Sequence, residues 1–366
     1  MRTVLVTGAM GQVGKRVVKI LLGRGRTVIA LDLDNAGTRE VAAEFLPGAG
    51  TLVQAYADLT DSKALDALVA EHQPAVIVHL AAVVSPVAYR NPGLARRVNV
   101  EGTGNLIAAA KALPIAPLFL EASSSAVYGS RNPHTHPERL THATPTRPTD
   151  CYGEDKVLAE RLVSGSGLPH ATLRIGGIIS PDALAQAGED YDVLVRAFPH
   201  DNRIHAVDAR DVALAFANAV DSVLAVDGKV LLIGGNESYV LRQSELSDDL
   251  MQAIGIGRPG TRGLLPGDPG DENGWGLTDW FDTSEAQTLL DFQAHDWDQT
   301  CAWVAASVPA GQRRIAGLLA PLIRTRMRRK RLRENKADGR GQYADPWALI
   351  GARYGDGAVT RAEPYG

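Results

Sequence analysis

The chain has 366 residues, of which 45% are hydrophobic and 22% charged, an ordinary globular mixture that can form one large domain or two modest ones. No apolar run reaches about 18 residues, so the sequence predicts no transmembrane helix. Two cysteines, Cys151 and Cys301, provide no disulfide framework, and without HExxH or CxxC motifs no metal site is predicted.

A glycine-rich turn stands near the start of the chain. An apolar strand over residues 3–6 leads into Thr7-Gly8-Ala9-Met10-Gly11-Gln12-Val13-Gly14, and an amphipathic helix is predicted over residues 13–22. Gly8 permits a tight turn, Gly11 lets the backbone approach a pyrophosphate, and Gly14 lets the helix pack on the strand. The helix N-terminus favours phosphate. This strand–turn–helix context predicts a dinucleotide site.

Asp32 ends the second predicted strand, residues 27–31, and indicates which dinucleotide binds. A carboxylate there accepts hydrogen bonds from a ribose diol and repels a 2′-phosphate, so NAD is favoured over NADP. Lys15 and Arg16 weaken this preference unless they are solvated helix charges, and Asp34 is the alternative ribose ligand. Because the chain enters this strand directly, cleaving a signal peptide would destroy the site, and we expect a cytoplasmic protein.

Strands and helices continue to alternate up to residue 175. We predict strands over residues 51–56, 75–80, 117–121 and 171–175, with helices over 38–45, 61–72, 94–113 and 151–163. A helix over 210–220 and a strand over 230–233 are predicted to return to the same sheet. This pattern is typical of a doubly wound parallel α/β sheet, a Rossmann fold.

Three polar residues within this alternation have two interpretations each. Asp58 at a strand end could meet the adenine amino group or cap the next helix. His79 lies in an apolar strand, where a packed core histidine is favoured over a catalytic one. Asn99 occupies a position of its helix where the spacing predicts an apolar, inward-facing residue. Its amide therefore needs buried hydrogen-bond partners and could brace the active-site loop.

Ser124, Tyr152 and Lys156 form the predicted catalytic set. Tyr152 and Lys156 are four residues apart and therefore share one helical face. A neighbouring ammonium stabilises the phenolate and is expected to lower the pKa of Tyr152. A serine from a strand end can bind the same substrate oxygen, which makes a proton-transfer site for an alcohol or ketone beside nicotinamide.

In combination, these motifs resemble an extended short-chain dehydrogenase/reductase of the NAD-dependent epimerase/dehydratase family. The matching segments are TGAMGQVG (7–14), Asp32, DL (58–59), LAA (80–82), Asn99, SSSAVYG (123–129), YGEDK (152–156), LRIGG (173–177) and HAVDARDVA (205–213). The resemblance implies that Ser124 is the catalytic serine, with Ser123 and Ser125 as nearby ambiguities. It also implies that Tyr152 is the general acid/base and that Lys156 binds the nicotinamide ribose.

The expected cofactor site combines residues of the glycine turn and of the strand ends with others from the first 156 positions. Its predicted members are Gly8, Gly11, Gln12, Val13, Gly14, Asp32, Asp58, Leu59, Leu80, Ala81, Ala82, Asn99, Tyr152 and Lys156.

Departures from the family pattern narrow the expected reaction. Family dehydratases usually carry an Asp-Glu pair after the catalytic hydroxyl residue, but Ser125 and Ala126 stand here. The asparagine that usually follows the LR arginine in nucleotide-sugar epimerases is absent after Arg174, although Arg196 and Arg203 remain candidate phosphate partners. We therefore expect oxidation or reduction of a fairly apolar secondary alcohol or ketone. Nucleotide-sugar 4-epimerisation with tightly held NAD is the alternative, and a scaffold with structural NAD is another.

Three regions are expected. Residues 1–175 form the NAD-binding Rossmann domain, to which residues 205–235 return, residues 176–308 bind substrate, and residues 309–366 form a basic extension. Residues 310–366 carry 13 basic and 5 acidic residues, a balance of +8 that leaves −12 for the remainder of the −4 total. The basic composition of the extension predicts either a helix that packs on the acidic body or a helix that contacts an anionic membrane surface. We expect a small-molecule substrate, no nucleic-acid partner, and a homodimer formed through helices 94–113 and 150–163.

Overall fold

The computed structural model describes residues 3–46, 48–185 and 188–359, and the predicted regions that include residues 1, 2, 47, 186, 187 or 360–366 extend outside this part of the chain. The strands are β1 (Thr3–Thr7), β2 (Thr27–Asp32), β3 (Thr51–Tyr56), β4 (Val76–His79), β5 (Leu118–Ser124), β6 (His170–Ile175), β7 (Gly177–Ile179), β8 (Arg203–Asp208), β9 (Lys229–Ile233) and β10 (Val240–Arg242).

The helices through the first sheet are α1 (Gly14–Gly23), α2 (Ala36–Ala43), α3 (Ser62–His72), α4 (Val87–Arg90), α5 (Pro92–Arg96), α6 (Gly102–Lys111) and α7 (Cys151–Ser164). Those that follow are α8 (Pro181–Ala185), α9 (Glu189–Ala197), α10 (Ala209–Asp221), α11 (Val223–Val226), α12 (Gln243–Ala253), α13 (Ser284–Leu290), α14 (Trp297–Ser307), α15 (Ala310–Ala337) and α16 (Pro346–Tyr354).

A seven-stranded parallel sheet has the spatial order β3-β2-β1-β4-β5-β6-β9. Its central strands are almost continuously apolar because both faces are covered. On β1, Val4 and Val6 pack in one core with α1 and α10, while Leu5 packs in a second core with α3 and α6. The predicted doubly wound Rossmann fold is confirmed.

The order of the strands reverses at β1, so the connections after β1 and β4 leave opposite faces of the sheet and open a crevice between them. The glycine turn follows β1, and residues 80–86 follow β4. The crevice therefore lies where the sequence placed the dinucleotide.

The predicted helix over 94–113 forms as a continuous helical run from Pro92 to Lys111, but a π-helical turn interrupts its α-helical geometry. The structure has α5, then a π-helical turn at Arg97–Glu101, then α6. Gly102, which follows the π-turn, lies against the Leu59 side chain, where a Cβ would come within 2.8 Å. The wider turn places Asn99 in the interior, at 1% exposure.

The region after β6 rejoins the main sheet only in part. The strand β9 pairs with β6, and α10 packs beside α1, as the sequence predicted. The strand β8, which carries His205, instead pairs with β7 and β10 in a small second sheet.

The basic extension forms helices packed on the body rather than a separate tail. In α15, Arg324 and Arg328 donate to the carbonyls of Ile256 and Pro259, and Asn335 donates to that of Gly263. In α16, Trp347 contacts Phe198 with ring centroids 6.0 Å apart. Within the described residues, no helix combines the length and apolarity needed to span a membrane.

Gly14 provides a test of the packing at the turn. A Cβ at Gly14 would overlap the Gly8 carbonyl oxygen, whereas a Cβ at Gly23, at the other end of α1, would meet no atom within 4 Å. We expect Gly14→Ala to destabilise the protein by about 1–3 kcal/mol and to weaken NAD binding, because backbone must shift. Gly23→Ala should be neutral or stabilising by about 0.5–1 kcal/mol. Urea unfolding and calorimetric titration with NAD measure both, and equal behaviour of the two variants would contradict this packing.

Candidate active site

A cavity of about 790 Å³ opens at the carboxyl edge of the main sheet. It brings together residues that the sequence places far apart. The predicted site residues in its lining are Gly8, Gly11, Gln12, Val13, Gly14, Leu80, Ala82, Ser124, Tyr152 and Lys156.

The glycine turn has the features of a phosphate-binding loop. Gly8 has a φ of +65°, and a Cβ there would come within 2.9 Å of the Ala81 backbone. The N–H groups of Gln12 and Val13 meet no acceptor among the described residues, and α1 begins immediately after them. These free donors at a helix N-terminus fit a pyrophosphate.

Asp32 is positioned by the same turn. Its carboxylate accepts hydrogen bonds from the backbone N–H groups of Met10 at 2.9 Å and Leu33 at 2.8 Å. Asp32 does not line the cavity itself but lies next to the turn. The alternative ligand, Asp34, is exposed and pairs with Arg39, which lowers the pKa of Asp34 mainly through a hydrogen bond.

Lys15 and Arg16 pair with Asp182 at 2.7 and 2.8 Å. Both cations, which could otherwise meet a 2′-phosphate, therefore already have a carboxylate partner. Ser180 also donates to the side-chain oxygen of Gln12 at 2.7 Å, so the segment after β7 is attached across the phosphate-binding turn.

Four further predicted cofactor residues lie outside the cavity lining: Asp58, Leu59, Ala81 and Asn99. Asp58 accepts hydrogen bonds from Thr60, and Asp61 caps α3, so the capping interpretation of Asp58 is wrong. Leu59 is buried against Gly102, and Ala81 donates its N–H to Thr7.

Asn99 and His79 support the loop after β4. Asn99 accepts from the Val83 N–H at 2.8 Å and donates to the Val83 carbonyl at 3.0 Å, which is the predicted bracing of the active-site loop. His79 hydrogen-bonds with Thr7 and Thr103. Burial lowers the pKa of His79 to about 3, so it is neutral and the packed-core interpretation is confirmed.

Tyr152 and Lys156 project from α7 towards the end of β5. The Lys156 Nζ lies 6.0 Å from the centroid of the Tyr152 ring and donates to the Ala122 carbonyl at 2.8 Å. Ser124 and Tyr152 both line the cavity, and the Ser124 side chain acts against the rise in the Tyr152 pKa that burial causes. Ser123 donates to Glu160, and Ser125 is buried in the short 3₁₀ turn that follows, so of the three serines Ser124 is the one that affects Tyr152.

The expected lowering of the Tyr152 pKa is wrong for this structure. Burial raises the pKa of Tyr152 above its usual value, with further increases from Asp150 and Asp155 and an opposing effect from the Ser124 hydrogen bond. Burial also lowers the pKa of Lys156, an effect that the charge of Glu160 opposes. The phenol of Tyr152 is protonated, because the effect of its burial outweighs the opposing effect of Ser124.

The end of the cavity at which we expect substrate is bounded by α4 and by residues 188–191. Arg90 there pairs with Asp190 at 2.6 Å, and Tyr354 donates to the same carboxylate at 2.9 Å. The two arginines considered as phosphate partners lie outside the lining. Arg196 pairs with Glu334 and Asp338, and Arg203 pairs with Asp279.

The model of the NAD-dependent epimerase/dehydratase family matches residues 4–234. The chain belongs to this family. The match confirms the predicted family, whose members are NAD-dependent enzymes, and its range contains the glycine turn, Ser124, Tyr152 and Lys156.

Individual relatives match over part of their length. UDP-glucuronic acid decarboxylase 1 of Arabidopsis thaliana is 32% identical over 190 residues, which are 49% of this chain and 40% of that protein. D-erythronate dehydrogenase of Haemophilus influenzae is 28% identical over 162 residues, 44% of this chain and 49% of its own. The chain thus spans about half the length of the curated relatives it matches.

The fold also resembles solved structures. The UDP-glucose 4-epimerase of Thermus thermophilus, crystallised with NAD, superposes with a TM-score of 0.64 at 22% identity, covering 83% of this chain and 98% of that one. At this identity the likeness establishes the shared fold.

A buried charged cluster lies beneath the family's catalytic set. Arg174 donates to both carboxylate oxygens of Glu160, at 2.9 and 2.7 Å, and to the Tyr128 hydroxyl. Glu121 is 1% exposed and accepts from Thr172 at 3.2 Å, and its other oxygen has no partner among the described residues. Burial, followed by the charge of Glu160, raises the pKa of Glu121 to about 8.

Sequence reasoning missed Asp150, which caps α7 by accepting from the Gly153 N–H at 2.8 Å. Its other oxygen accepts from Tyr89 at 2.7 Å and Ser85 at 3.2 Å, so Asp150 joins α7 to the loop after β4. Its position just before a predicted helix was an available signal, because aspartate is favoured as an N-cap. The pairing of Asp182 with Lys15 and Arg16 has no comparable signal, since 167 positions separate Asp182 from Lys15.

Glu121 should give the protein a measurable pH dependence. Its folded pKa of about 8 lies above its ordinary value of 4.5, so the folded state holds the proton while the unfolded chain releases it. The free energy of unfolding should therefore fall as pH rises through this window, by up to about 1.4 kcal/mol per pH unit from this group.

Glu121→Gln mimics the protonated carboxyl and should flatten that slope between about pH 5.5 and 7.5. Glu71→Gln, on the exposed surface of α3, is the matched control and should leave the slope unchanged. Urea unfolding at the two pH values measures both variants. A slope in Glu121→Gln identical to that of the unsubstituted protein would show that Glu121 is already ionised when folded.

Proposed function

We propose that this protein is an NAD-dependent oxidoreductase that passes hydride between nicotinamide and the carbon of a secondary alcohol or ketone. The observation that carries the proposal is the shared cavity of the glycine turn with Ser124, Tyr152 and Lys156. A phosphate-binding turn alone supports nucleotide binding, and the added phenol, hydroxyl and ammonium support proton transfer at a substrate oxygen.

Each residue of the set has a distinct task in this proposal. When bound, the cofactor would supply the hydride acceptor as NAD+ for alcohol oxidation or the hydride donor as NADH for ketone reduction. Tyr152 exchanges a proton with the substrate oxygen, and Ser124 holds that oxygen in line through its hydroxyl. Lys156, fixed by the Ala122 carbonyl, would bind the nicotinamide ribose and stabilise phenolate character during the transfer. Because Tyr152 is protonated beforehand, the set is ready to donate in the reducing direction.

Dehydration is disfavoured by the residues beside Ser124. Ser125 and Ala126 occupy the positions of the usual acid–base pair, and both are buried in the 3₁₀ turn. Neither side chain can supply a carboxylate for the removal of water.

A fairly apolar, uncharged substrate is favoured by the substrate end of the cavity. Val84, Pro86 and Val87 contribute apolar surface, and the pairing of Arg90 with Asp190 neutralises the cation that could bind a diphosphate.

Nucleotide-sugar 4-epimerisation is the alternative activity. The attachment of Ser180 to Gln12 and of Asp182 to Lys15 and Arg16 crosses the phosphate-binding turn and supports tight retention of NAD, which an epimerase requires. Net NADH production from an alcohol supports the oxidoreductase, and inversion of a sugar without net NADH supports the epimerase.

Tyr152→Phe tests the proton-transfer role. We expect turnover to fall by about 100-fold or more because the transferable proton is lost, while NAD affinity changes little. Tyr56→Phe, on β3 at the opposite edge of the sheet, is the control and should retain full activity. Turnover is followed by NADH absorbance over a panel of alcohols and ketones. Full activity in Tyr152→Phe would overturn the assignment, and NAD binding by a protein inactive on every substrate would favour the scaffold interpretation.

We also propose a homodimer in which α6 and α7 of two chains pair. Leu94 of α5 and Leu162 of α7 are each 40% exposed, and Leu162 lies next to Gly104 of α6. An apolar contact between helices would cover both leucines.

Leu162→Glu should convert a dimer into a monomer, because the pairing would bury two carboxylates. Leu224→Glu, at a position 96% exposed on α11, is the control and should leave the mass unchanged. Light scattering after size-exclusion chromatography gives the mass directly. A monomeric unsubstituted protein, or a dimeric Leu162→Glu, would contradict the proposed contact.

A further inference from the structure

The helix α15 has two faces with different chemistry. Its inner face is attached to the body: Arg331 and Asn335 are each 9% exposed and donate to the carbonyls of Gly260 and Gly263. Lys330 pairs with Asp192 on the neighbouring α9. The helix is therefore fixed in orientation, and the face that it turns outward is defined by the fold.

The first half of the outer face is apolar. Ile315, Leu318, Leu319 and Leu322 recur at helical spacing and are 60%, 83%, 48% and 68% exposed, respectively. The seven helical steps from residue 315 to residue 322 rise about 10 Å, so these side chains form one continuous patch rather than scattered single exposures.

The second half of the same face is basic. Arg326, Arg329 and Arg333 continue the helical spacing, are exposed, and have no carboxylate partner within the described ranges. Arg314 is also exposed beside the apolar patch and likewise has no acidic partner among the residues described. Four leucine or isoleucine side chains thus stand beside four unneutralised guanidinium groups.

We infer that this outer face of α15 binds an anionic phospholipid surface, with the apolar patch inserted between headgroups and the arginines on the phosphates. An amphipathic helix lying in the interface needs an apolar patch together with neighbouring cations. The length and composition of α15 are insufficient for a span, which agrees with a helix that lies on the membrane.

The charge of the whole chain orients this binding. Residues outside 310–366 carry a net charge of −12, so an anionic surface repels the body and attracts the extension. The same asymmetry disfavours a protein partner with a basic surface, and a second copy of α15 would bring the unneutralised arginines together. Charge complementarity therefore favours anionic lipid over a basic protein surface or a second copy of α15 as the partner of this face.

The test is sedimentation of the full-length protein with vesicles of phosphatidylcholine containing about one third phosphatidylserine. We expect binding that weakens when salt is raised and that is absent with phosphatidylcholine alone, since ionic screening shortens the reach of the arginines. Arg326→Gln/Arg329→Gln/Arg333→Gln should lower the partition coefficient by about 100-fold, at about fivefold per cation. Leu318→Glu/Leu322→Glu should lower it at least as far.

Leu224→Glu is the matched control, because it places a carboxylate at an exposed leucine away from α15 and should bind as the unsubstituted protein does. Circular dichroism and the thermal midpoint establish that each variant is folded. Absence of binding to the anionic vesicles, or binding unaffected by both α15 variants, would overturn the inference. So would a concentration-dependent dimer that Leu318→Glu/Leu322→Glu abolishes in a protein that does not bind vesicles, since the face would then join two copies.

Discussion

The close approach of the glycine turn to the loop after β4 is the constraint on which the site depends. Gly8 lies against the Ala81 backbone, and Gly14 lies against the Gly8 carbonyl, so side chains at either position would push these segments apart. That contact brings the free N–H groups of Gln12 and Val13 into the same cavity that Tyr152 lines. The crevice at the reversal of strand order is thereby a single binding space rather than two separate turns.

Burial determines the protonation of the groups below that space. Tyr152 holds its proton, His79 is neutral, and the pKa of Glu121 is raised, all with desolvation as the first cause. Lys156 donates to the Ala122 carbonyl, and the charge of Glu160 opposes the lowering of the Lys156 pKa by burial. The proposed catalytic residues are therefore adjacent to a buried cluster of ionisable groups that the motif itself does not reveal.

The fold and most of the cavity lining were predictable because they follow local rules. The strand–turn–helix pattern specified the turn, and the four-residue spacing placed Tyr152 and Lys156 on one face of α7. Sequence reasoning failed where long-range contacts decide. The π-turn around Asn99 depends on packing against Leu59, the salt bridges of Asp182 reach across the phosphate turn, and the docking of α15 relies on arginines bound to carbonyls of a distant glycine-rich loop. The spacing of residues in the sequence also could not show that burial raises the pKa of Tyr152 despite the nearby Lys156.

The central claim is that the glycine turn delivers nicotinamide to Tyr152. A crystal structure of the protein grown with NAD tests this most directly. We expect the pyrophosphate on the N–H groups of Gln12 and Val13, the adenosine ribose at Asp32, and the nicotinamide ring beside the Tyr152 hydroxyl with its ribose at Lys156. Dinucleotide density outside this cavity, or a nicotinamide ring remote from Tyr152 with the pyrophosphate correctly seated, would contradict the account.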